Sequence, residues 1–399
     1  MIELSNIDVI DTLRKFKEKN IPVCFLVPTI TGLEKSIMDA TSDVRDFLLN
    51  KNIHDYNKQT QGTESKKLIH TFLLSNNVVT ETKTSLYRPD TKQGDPRIWV
   101  YGLKEHSEPT DLLAIIAEKS QFIVINCSKS NLNNILNNDN QIYKKYLQNT
   151  PVNMSEIAEE LLLKLKSIGE KGFIKTMRSG DTGVGYTLET LLGIDANSSQ
   201  SPDYKGIEIK SGRKHAKKNN RTTMFSKTPN WNISNLKSSK EILFKRGKIN
   251  IEDNRHKLYH SFSAININSY NMKLELNDAQ NLLHQVYIYN GNIEKDVSWE
   301  MPVLKEALSK KHKETFWVTA KTISKSSDIE EKFQYTKVKH TGNLDLDAFS
   351  ILLNQGIITI DYLIKELPNG SSRDKGYLFK IRPKDLDLLF ASVNEYDLI

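Results

Sequence analysis

A chain of 399 residues, 38% apolar and 8% aromatic, exceeds the size at which one hydrophobic core keeps growing, so two domains are expected. No stretch approaches the ~18 uninterrupted apolar residues of a membrane span, and the acidic start MIELSNIDVID lacks the basic-then-apolar pattern of a secretory signal. A membrane role is thereby excluded, and a soluble, cytoplasmic protein is expected.

The first part of the chain mixes helix and strand. DTLRKFKEKN reads as a short amphipathic helix, IPVCFLVP and QFIVINCS as buried strands, and LIHTFLL and RIWVYGL as further strands. YRPDTKQGDPR is punctuated by Pro and Gly and reads as a loop. These elements predict a separate mixed α+β domain over residues 1–130. Arg88, Lys92, Arg97, Trp99 and Tyr101 allow two readings there: a basic, aromatic-edged nucleic-acid surface, or a core tryptophan and tyrosine with solvated arginines. Cys24 and Cys127 sit in apolar runs as expected of buried thiols. None of the nine histidines falls in a zinc spacing, so a catalytic metal would be held by oxygen.

Asparagine dominates Ser128 to Asn153, and residues 131–153 read as a linker. A second domain, 154–399, opens with SEIAEELLLKLKSIGEKG, where Ser155 can cap a helix and Gly169 and Gly172 stop it. TLETLLG is a short helix and GIEIKS a strand. Further on, KLYHSFSAININ and KLELN are expected to pair as a hairpin, QVYIYNGN and FWVTAKTI to be strands, and SWEMPVLKEALSKK to be the helix between them. Helices at DLDAFSILLNQ and KDLDLLFASV are expected to flank the strands TIDYLIKEL and GYLFKI, which PNGSSRDKG joins as a loop.

The chemistry concentrates in GYTLETLLGIDANSSQSPDYKGIEIKSGR. In GIEIKS, Ile207 and Ile209 alternate with Glu208 and Lys210, so the latter two share one strand face with Cα atoms roughly 7 Å apart. Asp203 precedes them at the start of the strand, after Pro202. Two carboxylates with a nearby main-chain carbonyl suit an oxygen-loving cation such as Mg²⁺, and the lysine adds a compact positive charge beside it. Glu189 lies about 60° from Leu192 on a helix, at the border of the stripe formed by Leu188, Leu191 and Leu192, where a carboxylate needs a partner. Glu-x-Lys by itself also fits a solvated edge strand. Glu189, the Gly183-x-Gly185 turn before it and the Ser-Pro-Asp segment set this one apart.

With these residues in place, the stretch 180–211 resembles the MvaI/BcnI restriction endonucleases, of the MutH-like branch of the PD-(D/E)XK nucleases. That family carries a glutamate in the helix after a TG-x-G turn, then an Asp, then Glu-x-Lys in a strand. The likeness covers roughly 154–399, continuing through TTMFSKTP and ITIDYLIKELPNGSSRDKGYLFKI. It implies an α/β (α+β) PD-(D/E)XK fold, a mixed sheet flanked by helices, and a catalytic set of Glu189, Asp203, Glu208 and Lys210. Asp203 and Glu208 would ligate Mg²⁺, with Mn²⁺ able to substitute, Lys210 would position or activate the attacking water, and Glu189 would support the site.

Charge fits that expectation: residues 203–250 hold 13 Lys or Arg against 3 Asp or Glu, whereas residues 1–150 hold 19 against 18. Arg213, Lys214, Lys217, Lys218, Arg221 and Lys227 are candidates for phosphate contacts, with Lys205, Lys245 and Arg246 in the same basic run. The later loop departs from the family: where its members carry base-reading His and Arg side chains, this chain has Arg373, Asp374 and Lys375, with Lys380 beyond. Fold and chemistry therefore carry over better than the recognition sequence, and Arg373, Lys375 and Lys380 are the DNA-contact candidates there. The expected protein is a monomeric type II restriction endonuclease cutting duplex DNA, with the N-terminal domain as a second DNA contact or effector module. A MutH-like nicking enzyme and a non-cleaving DNA-binding regulator are the alternatives.

Overall fold

The computed structural model describes residues 7–76, 78–91, 93–118, 121–147, 154–194, 202–214, 221–323 and 330–399. Lys92, Lys217 and Lys218 lie outside the described residues. The chain forms two compact units, 1–150 with 277–281, and 151–276 with 282–399.

In the first unit, helix α1 (Val9–Glu18) starts where the Asp8 carboxylate accepts the N–H groups of Ile10 and Asp11. Helices α2 (Ile30–Lys35), α3 (Ser42–Asn50) and α4 (Leu103–His106) accompany strands β1 (Cys24–Leu26), β2 (Met38–Asp39), β3 (Lys67–Ser75), β4 (Val78–Tyr87), β5 (Arg97–Val100), β6 (Leu113–Glu118) and β7 (Gln121–Asn126). The strands form one sheet in the order β1-β6-β7-β3-β4-β5-β2. Only β3 and β7 run parallel among its neighbours. The continuous apolar runs of β6 and β7 are buried throughout their centres, as strands covered on both faces require. Cys24 and Cys127 are buried and form no disulfide.

The asparagine-rich stretch is folded over its described part. Helix α5 (Leu132–Ile135) and a single π turn at Tyr143–Leu147 bury Leu132, Ile135, Leu136, Tyr143 and Leu147. The asparagines act as local caps: the Asn131 side chain accepts the Asn134 N–H and that of Asn140 accepts the Ile142 N–H. Composition suggested a tether from residue 131, but apolar residues at helical spacing override it up to 147.

The second unit contains helices α6 (Glu156–Gly169), α7 (Gly183–Leu191), α8 (Ser239–Arg246), α9 (Met301–Lys311) and α10 (Leu346–Asn354). Its strands are β8 (Ile174–Lys175), β9 (Glu208–Arg213), β10 (Thr222–Ser226), β11 (Lys248–Asn250), β12 (Arg255–Phe262), β13 (Met272–Asn277), β14 (Leu282–Tyr289), β15 (Asn292–Glu300), β16 (Glu314–Ile323), β17 (Lys332–Leu344), β18 (Thr359–Glu366), β19 (Ser372–Ile381) and β20 (Phe390–Asp397). They make a mixed sheet β20-β17-β16-β9, with β8 on β17, an antiparallel sheet β10-β19-β18-β12-β11, and the meander β13-β14-β15. Leu161 and Leu165 of α6 and Leu188 of α7 share one core with Ile207, Ile209, Phe316, Val318 and Tyr335 of the first sheet. No helix among the described residues is long and apolar enough to cross a membrane.

Three local expectations are corrected. KLYHSFSAININ and KLELN share a backbone hydrogen bond from the Leu274 N–H to the Ser263 carbonyl but do not form a strand hairpin: β12 takes β18 as partner and β13 opens the meander, because the long-range partner of a strand is not encoded in its own alternation. KDLDLLFASV is a 3₁₀ segment (Pro383–Leu389) followed by β20, whose residues pair with β17. PNGSSRDKG is mostly strand, since Ser372, Arg373 and Asp374 pair with Glu366, Lys365 and Ile364. The true turn is the short stretch closed by Leu367 and Ser371.

Candidate active site

The spacing between Asp203 and Glu208 is explained by a two-residue reversal. Tyr204 and Ile207 exchange both backbone hydrogen bonds at 2.8 Å, and the residues between them, Lys205 and Gly206, both have positive φ, 46° and 93°. That is the backbone of a primed hairpin turn. It folds the chain back so that Asp203 lies across from Glu208 and Ile209, and its Oδ2 accepts the Ile209 N–H at 3.0 Å. Because β9 is the outer strand of its sheet, this N–H would otherwise be an open edge donor. The turn is tied to α6: Tyr204 Oη donates to Glu160 at 2.8 Å and Lys205 Nζ pairs with the same carboxylate at 2.6 Å. These partners depress the Glu160 carboxyl to about 2.

Helix α7 begins at Gly183, where a Cβ would stand 2.4 Å from the Arg178 carbonyl, so no larger residue fits. Its half-buried Glu189 approaches the same site. Burial raises the Glu189 carboxyl above its ordinary range, the Asp203 charge adds to this, and Lys210, Arg178 and Lys311 oppose it.

Glu208 is fully buried. Lys210 Nζ lies 2.6 Å and Lys311 Nζ 3.2 Å from its Oε1, yet neither carboxylate oxygen has a well-directed hydrogen bond among the described residues. Burial raises its carboxyl, and the two lysines pull the other way. Lys311 ends α9, and the next residue, His312, fixes that end. The His312 Nε2–H donates to the Met224 carbonyl at 2.8 Å, Nδ1 meets the Thr315 hydroxyl at 3.0 Å, and the ring stacks on Trp317 with centroids 5.3 Å apart. Burial lowers His312 to about 3, with the Lys210 and Lys311 charges contributing, so the ring is neutral.

The donor set fits a divalent cation in a particular way. Among the described residues no three His, Cys, Asp or Glu converge as a cage. Asp203 lies across the turn near enough for its charge to raise the Glu208 carboxyl, and a buried Glu208 Oε2 without a donor is the oxygen a cation would take up. Mg²⁺ commonly uses one or two carboxylates and completes its shell with water and substrate phosphate.

All four catalytic candidates, Glu189, Asp203, Glu208 and Lys210, come together. The basic candidates do not form one surface. Arg213 makes a two-point pair with Glu331 and donates to the Gly180 and Asp181 carbonyls, so it braces the segment leading into α7. Arg221 and Lys380 both pair with the buried Asp361, which also accepts from Ser261. Arg246 is buried against Asp296 and Glu294 over the Tyr287 ring, and Lys245 pairs with Glu294. Lys214 is exposed and Lys227 half-buried. Arg373 and Lys375 are exposed on β19, with no ion pair or hydrogen-bond partner for either side chain among the described residues.

Lys311 and Arg178 are the site residues that sequence reasoning missed. Nothing local marks Lys311, since KK ends many helices for dipole reasons alone. Only the pairing of β9 beside β16 brings α9 to Glu208.

The model of the MvaI/BcnI restriction endonuclease family matches residues 162–390. A solved complex of the restriction endonuclease MvaI with its cognate DNA substrate is 25% identical, covering 62% of this chain and 100% of that one, with a TM-score of 0.52. MvaI in the absence of DNA is 24% identical, with 61% and 99% covered and a TM-score of 0.40. No curated protein matches.

Proposed function

The chain belongs to the MvaI/BcnI restriction endonuclease family, with a PD-(D/E)XK-like fold, and from that premise we propose that it is a type II, Mg²⁺-dependent endonuclease that cuts duplex DNA at a specific sequence. Glu208 carries the reading. A fully buried carboxylate wedged between two lysines, with Asp203 held opposite by a strained turn, is costly for stability and suited to a site that handles a cation and an anion together.

Asp203 and Glu208 would hold the divalent ion, which when bound lowers the pKa of water and offsets charge on a phosphate. Lys210 orients the attacking water towards phosphorus and, with Lys311, stabilises the negative charge that builds on the phosphoryl oxygens as the bond to the 3′ oxygen breaks. The half-buried Glu189 keeps Lys210 directed into the site. Attack from the water side leaves a 5′-phosphate and a 3′-hydroxyl. The MvaI relative was solved on its cognate DNA, which supports a duplex substrate, and the exposed Arg373 and Lys375 on β19 are the base-reading candidates. The unit of residues 1–150 would supply a second DNA contact or effector site.

Incubating the protein with mixed genomic DNA and Mg²⁺ and sequencing all new ends tests this. Ends clustering at one short sequence, with 5′-phosphates, support it. Tight binding without any new ends would favour a non-cleaving regulator, and a persistent open circle from supercoiled plasmid would favour nicking.

A further inference from the structure

The family match begins at residue 162, so the first unit has no assigned role. One face of its sheet is built unlike the rest. Register places Leu68, Ser85 and Trp99 in one row across β3, β4 and β5, and His70 and Lys83 in the next, where Tyr101 bonds the Lys83 carbonyl. Their neighbours in sequence, Ile69, Leu86, Ile98 and Val100, are buried in the core, and Trp99 also packs into that core.

Over these rows lies a cavity of about 420 Å³ lined by Lys66, Ser85, Tyr87, Trp99, Tyr101 and Glu105 among others. A second, of about 650 Å³, continues past Tyr101 to Leu68, His70 and Lys83. Trp99 is 7% exposed, and its indole N–H makes no hydrogen bond among the described residues, unlike those of Trp299 and Trp317, and is not sealed from solvent, so it can donate to solvent or to a ligand. The hydroxyls of Tyr87 and of Tyr101, which is 42% exposed, make no hydrogen bond among the described residues and face solvent. Burial and the nearby Tyr101 raise the Tyr87 hydroxyl, which keeps it a donor. Lys66 stands 4.8 Å over the Tyr87 ring.

The arginines of the adjoining loop do not serve this cavity. Arg88 donates to the carbonyls of Gln59, Gln93 and Gly94, and Arg97 pairs with Asp39 and Asp95. They shape the loop and leave the aromatic face to the ligand.

Three aromatic rings, donors open to the cavity and Lys66 and Lys83 beside Glu105 and Glu81 at the rim fit a flat, acceptor-rich ligand whose negative charge the lysines can meet. We propose that this face binds a DNA strand by taking one unstacked nucleobase into the Tyr87–Trp99–Tyr101 cavity, with Lys66 and Lys83 on the flanking phosphates. The choice of DNA over another anionic polymer rests on the nuclease reading of the second unit. An unstacked base is required because a ring can stack on Tyr101 only when a neighbouring base does not cover it.

The test uses the full chain in EDTA and a short single-stranded oligodeoxynucleotide carrying the fluorescent base 2-aminopurine. Tyr101→Ser is expected to weaken binding by about 5- to 100-fold, the value of one lost base–ring stack, and to abolish the 2-aminopurine signal change. Lys83→Ala is expected to lower the slope of log affinity against log salt by about 0.7. Folded Tyr101→Ser and Tyr87→Leu variants that both bind like the wild type would overturn the proposal. Cleavage of genomic DNA is followed in parallel: a chain that cuts but whose Tyr101 and Tyr87 variants both bind unchanged loses the pocket and keeps the nuclease. A chain that never cuts but binds through Tyr101 does the reverse.

Discussion

Replacing Lys311 with methionine removes one of two cations beside a carboxylate that has no exposure. At 3.2 Å and an effective dielectric of about 20, the lost attraction is about 5 kcal/mol before compensation. Lys210 remains at 2.6 Å and Lys311 itself keeps 21% of its surface in water, so a net loss of about 2 kcal/mol is expected. For a unit of this size that is a fall in Tm of roughly 4–8 °C. The loss must depend on pH. Burial holds the Glu208 carboxyl above its ordinary 4.5, so below that range the group is neutral in both proteins and Lys311 has no charge to compensate. Thermal unfolding in EDTA should therefore show a large gap between wild type and Lys311→Met at about pH 8 and a small one at about pH 4. Lys311→Arg should behave like wild type. A gap of equal size at both pH values would mean that Lys311 acts through packing, and no gap would mean that the pair has no weight.

Gly206→Ala meets no neighbouring atom but keeps a φ of 93°, so it should cost about 1–2 kcal/mol and slow single-turnover cleavage by loosening Asp203; unchanged cleavage would show that the turn does not set the carboxylate. Arg373→Ala should relax discrimination at one base pair by about 1–3 kcal/mol, read from sequenced cleavage ends, and an unaltered site profile would remove β19 from base reading. The fragment 154–399 should fold and retain some Mg²⁺-dependent cleavage at lower efficiency or altered selectivity. If it is folded by circular dichroism but inert on every DNA the full chain cuts, the first unit completes the active site.

Much of the site was legible because its signals are local. Alternation in GIEIKS placed Glu208 and Lys210 on one face, and Ser155 caps α6, accepting the Ala158 N–H. The Lys205-Gly206 turn is a local signal too, but a lysine at positive φ hides it. The basic run misled for the opposite reason: its counter-charges, Glu331, Asp361 and Asp296, lie far along the chain, so a net count saw only one side of each pair. The same distance concealed Lys311 and the pairing of β12 with β18. KDLDLLFASV failed because Leu386, Leu389 and Phe390 fit both a helical stripe and a tight turn leading into an outer strand.

In the proposed mechanism Asp203 and Lys210 serve the chemical step and not DNA affinity. Binding and single-turnover cleavage of one duplex containing the mapped site, with Asp203→Ala and Lys210→Ala beside the wild type, measure it directly. Cleavage should fall by at least about 10³-fold in each variant, with duplex affinity in Ca²⁺ or EDTA within about threefold of wild type. Either variant cutting at near wild-type rate would contradict the assignment, as would a loss of affinity large enough to account for the lost cleavage.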